Sequence, residues 1–173
     1  MNINIVIIGM PGSGKTTVGS LLSKKLNLNF IDMDEYIVQK EKKSVADMFV
    51  ISEEHFRNAE TECAKELGKK NSVVISTGGG VVKRKENMDY LKQNSFIVFL
   101  NRPVEKIISD INTETRPLLK ESINNIYKLY NERIHLYKKY CNVEILNDTT
   151  ADDAADSIVK AYIKQKNCCL SNH

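Results

Sequence analysis

Long apolar runs are missing from this chain of 173 residues, and so is any large excess of charge. No segment approaches the length that a bilayer-spanning helix requires, so no membrane partner is expected. The N-terminal apolar stretch is short, carries no basic flank and runs directly into a glycine-rich turn, which makes it a core strand and not a signal peptide. A net charge of +3 gives no case for nucleic acid. Cysteine is sparse: Cys63, Cys141, Cys168 and Cys169 show no C-x-x-C spacing and no ligand pattern with His55, His135 or His173. A bridge between neighbouring Cys168 and Cys169 would be strained, so reduced thiols in a cytoplasmic protein are the simpler account. Arginine is the scarcest basic residue that matters here, found only at positions 57, 84, 102, 116 and 133. Its planar fork suits carboxylate and phosphate, so each position is informative. Internal repeats and low-complexity stretches are also absent.

What is present is ordinary for a soluble globular protein: 42% apolar and 27% charged residues. The length suits one domain over residues 1–173. Strand and helix patterns alternate, which predicts an α/β fold: three layers, with a central parallel five-stranded sheet flanked by helices. Strands are predicted near 3–8, 28–31, 72–76, 96–100 and 143–146. A helix over 14–26 carries Val18, Leu21, Leu22 and Leu26 as an apolar stripe. A charged helical stretch from Asp34 to about Leu67 should break near Ser44 and Ser52, both plausible N-caps. Helices are also predicted near 84–93, from Pro103, over 122–140 and over 151–166. Residues 109–121 are polar and threaded with Asn, Thr and an Arg-Pro step, which predicts a mobile segment. The tail 167–173 should fray.

The most informative stretch is Gly9-Met10-Pro11-Gly12-Ser13-Gly14-Lys15-Thr16-Thr17, after Ile3–Ile8. It fits G-x-x-x-x-G-K-[ST] in the required place between a strand and a helix. Glycines let the backbone approach an anion, and the N–H groups of the loop and the following helix face the phosphates. Gly12, Ser13, Gly14, Lys15, Thr16 and Thr17 therefore read as the binding site of a nucleoside triphosphate, with Lys15 on the terminal phosphates and the Thr16 hydroxyl on Mg²⁺.

Two more segments follow predicted strands and should meet the loop at the carboxyl edge of the sheet. Asp32-Met33-Asp34 supplies two carboxylates, suited to a metal shell and a second substrate, or else to turn and cap chemistry. Thr77-Gly78-Gly79-Gly80 carries no carboxylate, and its bare backbone suits a ligand pressed close. Arg57 and Glu60 share a helix face, either as a surface ion pair or as an arginine aimed at a small-molecule carboxylate and steadied by Glu60. Arg116, inside the polar segment, could close over phosphates as a lid cation, although a loop arginine is solvated by default. Arg133 stands on the long helix with Tyr130 and Tyr137, where an ordinary exposed residue is the plainer reading. His55 and His135 receive no role.

Taken in order, Gly9–Thr17, Asp32-x-Asp34, Ser44–Phe49, Glu54-x-Phe56-Arg57-x-x-Glu60, Thr77–Gly80, Arg116-Pro117-Leu118-Leu119 and Arg133-x-x-x-Tyr137 resemble shikimate kinase over nearly the whole chain. The phosphate loop is common to many nucleotide binders, whereas this ordered combination is specific. The resemblance implies the phosphate-loop kinase type of fold, with a helical substrate-binding segment at about 33–61 and a mobile lid at about 109–121. It implies transfer of the ATP γ-phosphoryl group to the 3-hydroxyl of shikimate by a monomer. Residues matching Gly12–Thr17 would hold ATP, and those matching Thr16 and Asp32 the Mg²⁺ ion. Asp34, Arg57, Gly79 and Arg133 would bind shikimate, and Lys15, Asp34 and Arg116 would carry the catalysis. Another small-metabolite or nucleotide kinase, or a regulatory ATP-binding module, is the competing reading. The chain departs from the family pattern at Lys42 and Ser52, each in place of a usual glycine. It departs also at Ser109, where many members carry an arginine against adenine, and at Asn147-Asp148-Thr149, which lacks a basic residue often found near the base.

Overall fold

The computed structural model describes residues 3–110 and 116–170, with the side chains of 116–122 and 168–170 left undescribed. Five strands form one sheet: β1 (Asn4–Ile8), β2 (Asn29–Asp32), β3 (Val73–Ser76), β4 (Ser95–Asn101) and β5 (Val143–Leu146). Their spatial order is β2-β3-β1-β4-β5, and every pairing is parallel. β1 lies in the middle, between β3 and β4: the chain runs from it to β2 and β3 on one side, then crosses to β4 and β5 on the other. The loop after β1 therefore sits at the switch point where ligands of open α/β sheets gather.

The central strands read as continuous apolar runs because both of their faces are covered. Alternation along each strand divides them between two cores. Val6, Ile8, Ile75, Ile97 and Phe99 point to one side, against α4 (Glu53–Leu67), α5 (Lys85–Lys92) and α7 (Arg116–Tyr140). Ile5, Ile7, Val74, Val98 and Leu100 point to the other, against α1 (Lys15–Leu26) and α8 (Ala151–Leu170). This is the expected three-layer arrangement. No helix among the described residues is long and apolar enough to cross a membrane.

Between β2 and β3 the chain forms α2 (Met33–Glu41), α3 (Val45–Ile51) and α4, each started by a side-chain cap. Asp32 Oδ1 accepts from the N–H groups of Asp34 and Glu35, Ser44 Oγ from Asp47, and Ser52 Oγ from His55. The two serine breaks thus fall where the sequence puts them. A short 3-10 turn (Val81–Lys83) follows the triple glycine, and α6 (Val104–Ser109) follows β4, with Pro103 as its cap.

Two helix boundaries differ from expectation. α7 begins at Arg116, six residues before the predicted start, so the second half of the expected lid is helical backbone. The Arg116-Pro117 step reads as a break, yet a proline in the first turn removes an N–H that has no helical partner anyway. Residues 111–115 of that segment lie outside the described residues. α8 runs to Leu170, past the predicted end, because no glycine or proline interrupts it from Ala151 onward.

Lys42 closes α2 in the left-handed region, at φ 55°, with its N–H on the Val38 carbonyl. That conformation costs an L-residue roughly 1–2 kcal/mol, part of which glycine would return as unfolded-state entropy. Lys42→Gly is accordingly expected to stabilise the fold by about 0.5 kcal/mol. Urea unfolding should show a raised midpoint with an unchanged slope, and a lowered midpoint would contradict the strain argument.

Candidate active site

The loop after β1 folds around its own backbone. Gly12 and Gly14 take φ values of +76° and +88°, which only glycine adopts without strain. Lys15, 8% exposed, turns back so that Nζ donates to the carbonyls of Gly9 (3.0 Å) and Met10 (2.7 Å). Burial pulls its pKa down to about 8; Asp34 and Asp32 oppose that shift, and Arg133 adds to it. Thr16, in the first turn of α1, donates its hydroxyl to Asp32 Oδ2 at 2.7 Å, and Ser76 Oγ lies 3.4 Å away. Asp32 is thus divided, one oxygen capping α2 and the other facing Thr16.

A cleft of about 480 Å³ opens above these groups. Its lining joins Gly12, Gly14, Lys15, Thr16 and Thr17 to Asp32, Asp34 and Gly79. The Thr16 hydroxyl and Asp32 carboxylate are hard oxygen donors, and no cluster of three or more His, Cys, Asp or Glu exists among the described residues. That sparse set fits Mg²⁺, which dehydrates reluctantly and keeps several waters. It would not hold a metal that needs a full protein cage.

Beyond the Gly78–Gly80 turn a second cavity, of about 310 Å³, is lined by charged side chains that include Glu53, Arg57 and Lys83. Arg57 is 8% exposed and Glu60 fully buried, with Arg57 Nη1 donating to Glu60 Oε2 at 2.7 Å. The surface ion pair considered from sequence is therefore a buried one. Glu53 holds Arg57 Nε at 3.2 Å and is itself tied to Lys83 Nζ at 2.6 Å. The guanidinium lies against Gly80, where an added Cβ would come within 2.5 Å of Nη2. Gly78 is equally confined, its missing Cβ directed at Asp34 Oδ1 (2.8 Å) and Glu60 Oε1 (3.2 Å). Asp34 has its pKa raised by burial and by Asp32, against the pull of Lys15 and Arg57. Burial also raises Glu60, with Arg57 opposing.

From α7, Arg133 Nη1 (3.2 Å) and the Tyr137 hydroxyl (2.6 Å) both donate to the Gly79 carbonyl. Tyr137 is fully buried and stacked on Phe99, their ring centroids 5.1 Å apart. Three buried polar atoms in this region have no hydrogen-bond partner among the described residues: Asp34 Oδ1, Glu60 Oε1 and Arg133 Nε. Folded proteins rarely leave such atoms unsatisfied; Ser13 Oγ in the phosphate loop is in the same state, as are His55 Nε2, Ser95 Oγ and Arg102 Nε elsewhere.

Of the residues expected from sequence, Lys15, Thr16, Asp32, Asp34 and Gly79 line the cleft, Arg133 reaches the Gly79 carbonyl, and Arg57 lies against Gly80 and lines the neighbouring cavity. Arg133, for which an exposed helix position was the plainer reading, is half-buried and turned inward. Arg116 occupies the first residue of α7; its side chain lies outside the described residues. Sequence reasoning gave no role to Glu53, Lys83 or Asn147. Asn147 had one usable signal, its place directly after a strand at the carboxyl edge, which the search for a basic residue there passed over. Ser109 turns its hydroxyl onto the Lys106 carbonyl, within its own helix.

Comparison with known proteins adds independent findings. A family model described as shikimate kinase matches residues 11–163. The shikimate kinase of Clostridium botulinum (strain Alaska E43 / Type E3) is 48% identical over 163 residues, covering 94% of this chain and 99% of the relative. A shikimate kinase from Acinetobacter baumannii, solved in complex with shikimate, superposes with a TM-score of 0.88 at 31% identity, covering 96% of each chain. A gluconokinase from Sinorhizobium meliloti reaches a TM-score of 0.64 at 13% identity, which is a likeness of fold alone.

Removing the Tyr137 hydroxyl leaves the Gly79 carbonyl with one donor instead of two. Tyr137→Phe should therefore cost about 1 kcal/mol of stability, read from the shift in the denaturation midpoint. A variant as stable as the parent would mean that this bond contributes nothing net.

Proposed function

The chain belongs to the shikimate kinase family: it transfers the γ-phosphoryl group of ATP to the 3-hydroxyl of shikimate, a step in aromatic amino acid biosynthesis, and we infer here how its residues share that work. The observation that carries the assignment of the acceptor side is the set of unpartnered buried atoms beside Gly79, on Asp34, Glu60 and Arg133, next to a phosphate loop.

Shikimate is a ring bearing one carboxylate and several hydroxyls. Arg57 and Arg133 are the two cations flanking the Gly78–Gly80 turn, and they take the carboxylate in a forked, charge-assisted contact. Glu60 and Glu53 hold Arg57 from two sides, which fixes the plane of its guanidinium. Asp34 orients the 3-hydroxyl and accepts its proton as the oxygen bonds to the γ-phosphorus; the bond from that phosphorus to the bridging oxygen breaks, and ADP leaves. Its raised pKa makes it a better proton acceptor than an exposed aspartate.

Gly12–Thr17 cradle the ATP phosphates through backbone N–H groups. Lys15 exchanges its two loop carbonyls for phosphate oxygens and holds positive charge against the transferring group. Thr16 and Asp32 are the residues that would hold Mg²⁺, which when bound neutralises phosphate charge. Arg116, at the start of α7, supplies the further cation assigned to it by the family pattern. Positioning and charge neutralisation supply most of the rate enhancement, since this transfer needs little covalent help. All of these groups come from one chain, so a monomer suffices. The free thiols of Cys63 and Cys141 suit a reducing compartment such as the cytoplasm.

Release of ADP from ATP should require shikimate and should not respond to gluconate or a nucleoside monophosphate; the reverse pattern would overturn the acceptor assignment. Truncating Arg57 to alanine is a poor probe, because it strands the buried Glu60. Arg57→Lys keeps the charge and loses the fork. It should raise the shikimate KM by roughly tenfold or more while the ATP KM stays within about twofold. Equal loss of both would argue against a carboxylate clamp.

Lys15 gives a pH signature. With its pKa depressed to about 8, it is largely neutral in the free protein at pH 9, whereas bound phosphates restore the charged form. Binding of ADP–Mg²⁺ should therefore take up a proton at pH 9 and none at pH 6.5. Calorimetry in buffers of different ionisation enthalpy measures this, and proton release at pH 9 would refute it. The sign for stability is separate: between about 8 and 10.5 the unfolded chain binds the extra proton, so the Lys15 contribution to stability rises with pH over that window.

A further inference from the structure

Four carbonyls of the phosphate loop have hydrogen-bond donors. Gly9 and Met10 receive Lys15 Nζ, Met10 also receives the Ser13 N–H at 3.1 Å, and Gly14 receives the N–H of Val18 at 2.9 Å. The Ser13 carbonyl is different. Its donor is Asn147 Nδ2, at 2.8 Å, from a residue 134 positions away in sequence.

Asn147 is the first residue after β5 and is 3% exposed. Its own N–H donates to the carbonyl of Asn101 at the end of β4, at 2.8 Å, so the sheet edge holds it rigidly. The side-chain amide also lies close against the loop: a Cβ on Gly14 would approach Nδ2 to 2.9 Å. Within a planar trans peptide the carbonyl of Ser13 and the N–H of Gly14 point in opposite directions. Fixing the first toward Asn147 fixes the second toward the other side, where Gly14 lines the cleft. A glycine pair with φ near +80° has several alternative backbone states of similar energy, so an external anchor matters here more than it would on a stiffer segment.

We propose that Asn147 is a positioning residue for nucleotide binding: by holding the Ser13 carbonyl it aims the Gly14 N–H at the phosphates. It sets affinity for the phosphate chain without touching the nucleotide or the acceptor. This rests on the nucleotide-binding reading above. The anchor acts through the loop, so its loss is felt equally by any ligand that presents a linear polyphosphate, with or without a base. A role in contacting the base, or in merely bracing β5, predicts a different pattern.

The test uses the full chain with Asn147→Ala and the near-isosteric Asn147→Asp, whose carboxylate cannot donate at pH 8. Calorimetric titration with ADP and, separately, with inorganic tripolyphosphate, both with Mg²⁺, is paired with the shikimate KM and a thermal unfolding curve. Both anions should bind the folded Asn147→Ala variant about tenfold more weakly, the scale of one buried acceptor left unmade. Asn147→Asp should lose at least as much, and the shikimate KM should stay within about twofold in both. Cooperative unfolding with anion affinities unchanged would overturn the proposal. So would a loss for ADP that spares tripolyphosphate, or an equal loss for shikimate. Failure of the unsubstituted protein to bind ADP, or to phosphorylate shikimate, would instead overturn the functional reading itself.

Discussion

The Gly79 carbonyl is the point through which the two halves of this site are joined. It accepts from Arg133 and Tyr137 on α7, and the same residue is pressed against the phosphate loop, since a Cβ there would fall 2.6 Å from Pro11 Cδ. The helix that carries Arg133 is thereby fixed to a turn that touches the phosphate loop. Phosphoryl transfer depends on the relative placement of two substrates to within a fraction of an ångström. Here one residue with no side chain of its own links α7 to the phosphate loop. Tyr137 holds its hydroxyl in position because its ring is stacked on Phe99 in the core behind the sheet. The burial of that ring and its hydroxyl pushes the phenol pKa up to about 12, so it stays a donor throughout the working range of pH.

Charge is managed in the cleft by a chain of paired groups more than by any single pair. Lys83 neutralises Glu53, Glu53 and Glu60 hold Arg57, and Asp34 stands between Arg57 and Lys15 as a carboxylate shared in field by both. Burial opposes ionisation at Lys15, Asp34 and Glu60 alike.

Departures from the family pattern have unequal weight in this setting. Lys42 ends a helix in a left-handed conformation that its side chain makes harder, on an exposed corner far from the chemistry. Ser52 replaces glycine by a residue that caps α4 through its hydroxyl, so the change adds a hydrogen bond. Ser109 ends α6, whose Ile107 lies against Gly12, and the segment after β5 reaches the Ser13 carbonyl. There Lys106 reaches the Asp148 carbonyl, tying α6 to the segment that carries Asn147.

The strand order of motifs, the three capped helices after β2 and the phosphate loop were legible in the sequence because each is a local matter. Alternation or runs of apolar residues, a cap residue before a helix, and glycines followed by Lys-Thr act over a few residues and leave a readable trace. The start of α7 was misread for a local reason too, since Arg116-Pro117 looks like a break until it is seen to open a helix. Arg57 and Glu60 could be paired by helical spacing, but their burial could not be deduced, because it depends on what packs over them. Tertiary structure alone decided that Arg133 and Tyr137 meet Gly79 and that Asn147 reaches Ser13. Those contacts join positions 54 to 134 residues apart, and a carbonyl offers no residue-type signal to match against its donor. Sequence periodicity determines which face of an element is buried; only the closed sheet and its covering helices determine which backbone group that face finds.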